Sequence, residues 1–226
     1  ALNLRLDRPS DVLDIGHLDE LKGIQDDGDT IFIGAITRHA EVAKSSVVQS
    51  KIPALAKLAG GIGDPLVRNR GTIGGSLANN DPSADYPSAV LGLGATVHTD
   101  SRTIPADDYF QGAFMTALEE GEIITKVSFP VPETAGYGRL AQPASRFPLI
   151  GVFVAKTSSG PRVAVTGAGP GVFRVEEMEQ ALSGNWSAEA IKDIAVNSDE
   201  FATDIHASAE YRAAMITVMA QRAIKS

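Results

Sequence analysis

The stretch AGGIGDPLVRNRGTIGGSLANNDPSADYP, residues 59–87, decides how this chain is read. At its centre is Gly71-Thr72-Ile73-Gly74-Gly75-Ser76. Two adjacent glycines leave the backbone open, so peptide N–H groups can approach a phosphate with no Cβ in the way. Thr72 and Ser76 add hydroxyl donors. Asp81 and Asp85 follow, and their carboxylates repel phosphate but accept hydrogen bonds from sugar hydroxyls. Small donors first and a carboxylate after is an order that suits a nucleotide. A Gly-Gly pair also suits a tight turn under a strand, and Asp81 before Pro82 also suits a turn. The phosphate motifs of other folds are missing. No GxxxxGK(S/T) occurs, and neither glycine-rich run completes GxGxxG: Gly61-Ile62-Gly63 has Leu66, and Gly167-Ala168-Gly169 has Val172, at the third glycine position.

Composition narrows the remaining classes. A chain of 226 residues, 43% hydrophobic and 21% charged, is ample for a packed core in one or two domains. No apolar run approaches the ~20 residues of a membrane-spanning helix. With no cysteine, the chain can form no disulfide and ligate no iron–sulfur cluster, so any such cluster belongs to a partner. A net charge of −8 without a basic stripe argues against nucleic acid. His17, His39, His98 and His206 are scattered, with no second ligand at a metal spacing. No nucleophile–base pairing or paired carboxylates point to hydrolysis.

Periodicity predicts an α+β chain. Residues 11–15 and 30–36 read as strands. Val48, Ile52, Leu55 and Leu58 share one helical face, with a bend or fresh start at Pro53. Pro87 to Leu93 reads as a helix with proline near its start; 95–99 and 122–129 read as strands. Residues 130–136, with two prolines and a glycine, are the expected linker. Beyond it, 151–156 and 162–166 form an expected hairpin, followed by helices over 176–182, 188–196 and 207–224. The last of these carries Tyr211, Met215, Val218 and Arg222 on one face.

The long form of the glycine-rich stretch resembles the flavoprotein (medium) subunit of the molybdenum hydroxylases. Other segments match the family in order: Leu4-Arg5-Leu6-Asp7-Arg8-Pro9 with Val12-Leu13-Asp14-Ile15; Ile31-Phe32-Ile33-Gly34-Ala35-Ile36-Thr37 with Glu41-Val42; Gly121-Glu122-Ile123-Ile124 with Phe129-Pro130; Pro143-Ala144-Ser145-Arg146-Phe147; and Ala207-Ser208-Ala209-Glu210-Tyr211-Arg212. The resemblance implies a vanillyl-alcohol-oxidase (PCMH)-type FAD-binding domain over 1–132. A small C-terminal domain over 137–226 would follow, built as a three-stranded sheet with helices. It also implies an earlier subdomain ending in a second glycine loop, AGG(H/Q)SL, ahead of Ala1.

By the same resemblance, Thr72, Ile73, Gly74, Gly75 and Ser76 hold the FAD pyrophosphate through backbone N–H groups and hydroxyls. Asp85 bonds a cofactor hydroxyl. Ile62 lies on the flavin side of the pocket, and Ile124 forms another apolar wall; by periodicity alone both also fit plain core. Arg139 takes the place of a lysine near the flavin pyrimidine edge, and Phe147 shields the ring face. Arg68 and Arg70 either steer phosphate, face an acidic partner or are simply solvated. The implied role is an electron-transfer subunit beside an iron–sulfur small subunit and a molybdopterin large subunit, as a dimer of heterotrimers. A cytoplasmic location agrees with the absence of an export signal in this sequence. The alternatives are a stand-alone FAD oxidase of the same superfold and a flavin-free scaffold piece.

Overall fold

The computed structural model describes residues 11–226. The hairpin β1 (Ile24–Asp26) and β2 (Thr30–Gly34) leads into a run of short helices: α1 (His39–Lys44), α2 (Ser46–Lys51), α3 (Pro53–Gly61), α4 (Pro65–Arg68), α5 (Ile73–Asn79) and α6 (Tyr86–Gly92). Next come β3 (Thr96–Thr99), β4 (Thr103–Pro105), the single turn α7 (Ala106–Tyr109), the small ribbon β5 (Phe110–Gly112) and β6 (Met115–Thr116), and β7 (Ile124–Pro130). The first sheet has the order β1-β2-β7-β3-β4, antiparallel throughout. The second is built from β8 (Thr134–Ala141), β9 (Pro148–Thr157), β10 (Gly160–Thr166) and β11 (Phe173–Arg174), in the order β11-β10-β9-β8. Helices α8 (Glu176–Gly184) and α9 (Ala209–Ile224) cover it.

The period-2 pattern of the second sheet explains how the two halves join. Alternate residues point to opposite faces. Val152, Val154, Val163 and Val165 pack with Ile216, Met219 and Leu182 from the covering helices. Tyr137, Phe153, Ala155 and Ala164 face the other way, into the same core as Tyr86, Val90 and Leu93 of the N-terminal half. Polar links reinforce that junction. Arg162 donates to Leu91 O and to both oxygens of Asp107. The Thr166 hydroxyl lies within hydrogen-bonding distance of Pro82 O and Ala84 O, and Gly167 N–H donates to Pro82 O.

Several expectations hold in detail. Val48, Ile52, Leu55 and Leu58 are fully buried, and Pro53 opens α3. Others need correction. Residues 11–15 form no strand; Val12 and Leu13 are exposed, so no burial offsets the entropy of ordering one. The matched segment at residues 4–9 lies outside the described residues. The C-terminal sheet has four strands rather than three, and β8 begins inside the expected linker, which shrinks to 131–133. Gly136 and Gly138 disguise β8 as a loop. They are there because α9 crosses so closely that a Cβ would sit 1.8 Å from Ala223 O and 2.0 Å from Met219 O. Residues 188–196 form turns, not a helix, tied to α9 by Gln221 donating to Ala188 O and Thr217 to Ile194 O. On α9 the expected face is off by one position: Arg212, Ile216, Met219 and Ala223 are buried, whereas Tyr211 is exposed.

Candidate functional site

The glycine-rich segment is anchored from both ends. Asp64 caps α4 by accepting from the N–H groups of Leu66 (2.7 Å) and Val67 (2.9 Å). Arg68 donates to Ile62 O and Gly63 O, which makes it a clamp on the preceding turn. Farther on, Thr72 pairs with Arg38 in an isolated antiparallel bridge, with His39 N–H donating to Gly71 O and Ile73 N–H to Thr37 O.

The sequence predicts a loop of free N–H groups at 72–76, and here the structure differs. Thr72 is the N-cap of α5, its hydroxyl oxygen accepting from Gly75 N–H at 3.2 Å. Ile73 donates to Thr37 O, Gly74 to Ala35 O at 2.7 Å, and Ser76 to Thr72 O. Ile73's side chain is in the core. Among the described residues, the Thr72 N–H and the Thr72 and Ser76 hydroxyl protons have no acceptor. The two glycines also separate in role. A Cβ on Gly74 would lie 2.6 Å from Ala35 Cβ and 2.8 Å from Ala35 O, so Gly74 seats α5 against the end of β2. A Cβ on Gly75 would meet only Thr72 Oγ1, at 3.0 Å.

Two cavities lie on either side of this segment. The first, about 820 Å³, is lined by Ala35, Ile36, Arg38, Gly74, Ala78, Leu118 and Ile124, with Glu122 at its edge. The second, about 520 Å³, is lined by His39, Ile62, Ser76, Asp81, Asp85, Ser145, Arg146 and Phe147. Arg70, Thr72 and Gly75 line both. The structure thus gathers Ile62, Ser76, Asp85 and Phe147 around one cavity and places Gly74 and Ile124 in the other. Ile73 and Arg139 line neither.

Arg139 is instead committed to a buried knot. Asp85 Oδ1 accepts from Tyr137 OH (2.6 Å) and Arg139 Nε (2.7 Å), and Arg139 also donates to Arg146 O. Burial pushes the Asp85 carboxyl up, while the Arg139 charge and the Tyr137 hydroxyl pull it back down. Burial beside Asp85 raises both Tyr86 and Tyr137 far above the usual phenol range. His39 stacks on Tyr86 with ring centroids 5.2 Å apart. Burial, with the Arg68 charge nearby, holds the His39 imidazole down to about 4, so it is neutral. At the first cavity, Arg102, together with Thr99 and Ser101, holds Glu122 far below the ordinary carboxylate range. Asp81 accepts from Ser83 N–H, as its turn reading requires.

Sequence reasoning missed Arg38 and Arg146. Arg38 reaches the site through a pairing with Thr72 that no local pattern announces. Arg146 lines the second cavity, whereas Arg139 is paired with Asp85 and lines neither.

The FAD binding domain in molybdopterin dehydrogenase matches residues 1–132, and the CO dehydrogenase flavoprotein C-terminal domain matches residues 152–226. The nicotine 6-hydroxylase medium subunit of Paenarthrobacter nicotinovorans is 36% identical over 99% of this chain and 84% of its own length. The carbon monoxide dehydrogenase medium chain of Hydrogenophaga pseudoflava is 34% identical over 100% of this chain and 84% of its own. A solved structure of carbon monoxide dehydrogenase from Hydrogenophaga pseudoflava superposes with a TM-score of 0.89 at 36% identity, covering 98% of this chain and 83% of that one. The two family models fall in order along the chain, and the chain belongs to the family of FAD-binding medium subunits of the molybdenum hydroxylases.

Proposed function

We propose that this chain holds FAD across the two cavities and relays electrons within a molybdenum hydroxylase, from iron–sulfur centres to an external acceptor. The observation that carries the reading is the wall of Arg70, Thr72 and Gly75 common to both cavities. A dinucleotide that fills both must cross it. There it meets the Thr72 N–H, two hydroxyls and a residue without a Cβ. The first cavity offers apolar walls at Ala35, Leu118 and Ile124 for the adenine end. The second offers Ile62 and Phe147 for the flavin ring. Asp85 keeps lone pairs free for a ribityl hydroxyl, because its Oδ2 has only a long contact to Arg139, at 3.4 Å.

When bound, FAD supplies a carrier that accepts and releases two electrons singly or together. The chain's own part is to bind and orient it, to exclude water with Ile62 and Phe147, and to set the local charge. Arg139 contributes a cation already balanced by Asp85. Arg146 contributes one with no ion-pair partner among the described residues. The division of the chain at 132 to 137 then puts the diphosphate wall in one domain and Phe147 in the other. Because this sequence has no cysteine to ligate a cluster, the proposal places the iron–sulfur centres on a small subunit and the molybdopterin, with substrate oxidation, on a large subunit. The arrangement proposed is a dimer of such heterotrimers in the cytoplasm.

Purification of the native complex tests this. Extracted flavin should be FAD, one per copy of this chain, with iron and molybdenum co-purifying. Extraction of FMN alone, or a flavin-loaded chain free of both metals, would overturn the reading.

A further inference from the structure

We propose that Arg70 makes this cleft select a diphosphate-bridged flavin over the phosphate-free form. The inference rests on the placement of FAD across the two cavities. Arg70 is the charged residue on the wall that both cavities share. It is exposed, and among the described residues its guanidinium has no ion-pair partner and no hydrogen-bond acceptor. Its neighbour Arg68, by contrast, is spent on the Ile62 and Gly63 carbonyls.

None of the carboxylates that line the cleft forms an ion pair with Arg70 among the described residues. Glu122 is paired with Arg102 and Asp85 with Arg139. Asp14 and Asp81 keep their charge, but they are tethered within their own turns by the N–H groups of Gly16 and Ser83 and pair with no cation among the described residues. Arg38 adds a second cation on the first-cavity side, opposite Thr72 in the bridge. Uncharged donors also occur on the shared wall, but they neutralise nothing. A diphosphate carries net negative charge, and a guanidinium meets two of its oxygens at once. Riboflavin fills the second cavity and brings no such charge to the wall. Loss of Arg70 therefore weakens FAD selectively.

The test uses the intact complex, stripped of flavin and titrated with FAD and with riboflavin, as wild type, Arg70→Gln and Arg70→Lys. For Arg70→Gln, the FAD dissociation constant is expected to rise about tenfold, the loss of one charge-assisted contact at an exposed site. The riboflavin constant should stay unchanged, and the salt dependence of FAD binding should flatten. Arg70→Lys should recover most of the loss. Equal FAD affinity in wild type and Arg70→Gln overturns the proposal, as does a parallel loss of FAD and riboflavin, which would make Arg70 a scaffold residue. Failure of stripped wild type to bind FAD at all would instead refute the placement of FAD in this cleft.

Discussion

The two cavities are built differently. The first is walled by the N-terminal half alone, between Asp14 and Ile124. The second borrows Ser145, Arg146 and Phe147 from the C-terminal half. The first therefore depends on packing within the N-terminal half, including how α5 seats against β2. The second also depends on the junction between the halves, where Asp85, on the cavity wall, is held by Arg139 and Tyr137. On the proposed placement, with one cofactor across both cavities, flavin binding would report on how the two halves pack.

The largest expected break in this comparison is Arg139→Ala. It leaves the Asp85 carboxylate buried without its cation, a loss of about 3 kcal/mol. Calorimetric melting should show the loss, and hydrogen exchange should rise at 145–147 while the first cavity stays protected. Gly74→Val should cost about 2–3 kcal/mol by forcing α5 off Ala35. It acts on both cavities, so exchange should rise at Ile124 as well as Ile62.

Acid provides a third test. His39 lines the second cavity, and its folded-state pKa is lowered from 6.5 to about 4. Below pH 6.5 the unfolded chain binds a proton that the folded chain refuses, so stability falls as pH drops from 6.5 towards 4. The loss over that window is about 2 kcal/mol. Denaturant midpoints for His39→Gln should lack that part of the slope; an unchanged slope would show that His39 is not buried neutral. Tyr137→Phe should be milder, about 1 kcal/mol, since Asp85 keeps Arg139. It should weaken riboflavin binding more than it disturbs the exchange protection of the first cavity.

How much of this was legible beforehand depends on the range of the signal. Local signals read well: the 48–52–55–58 stripe, the fresh start at Pro53 and the hairpin of β9 and β10. Signals whose partner lies far along the chain did not. Gly74 is a packing residue because of Ala35, and β8 tolerates glycines because α9 crosses it. The phase of α9 is set by Arg212, which no hydropathy pattern would bury. It is buried because its guanidinium donates to Leu149 O, Gly167 O and Asp204. The long motif pointed to residues that line the two cavities, but not to how their contacts differ. Gly74 and Gly75 look alike in sequence, and nothing local tells that Arg139 pairs with Asp85 while Arg146 lines the cavity.

That difference in contacts gives the most direct test. Gly75→Leu places a side chain into the wall between the cavities, its Cβ meeting only Thr72 Oγ1, at 3.0 Å. Flavin content and melting temperature should be measured together on the complex carrying this variant. The expected result is a chain as stable as wild type to within about 1 kcal/mol that has lost its FAD. A stable Gly75→Leu chain retaining one FAD per copy would contradict the claim that the cofactor crosses this wall.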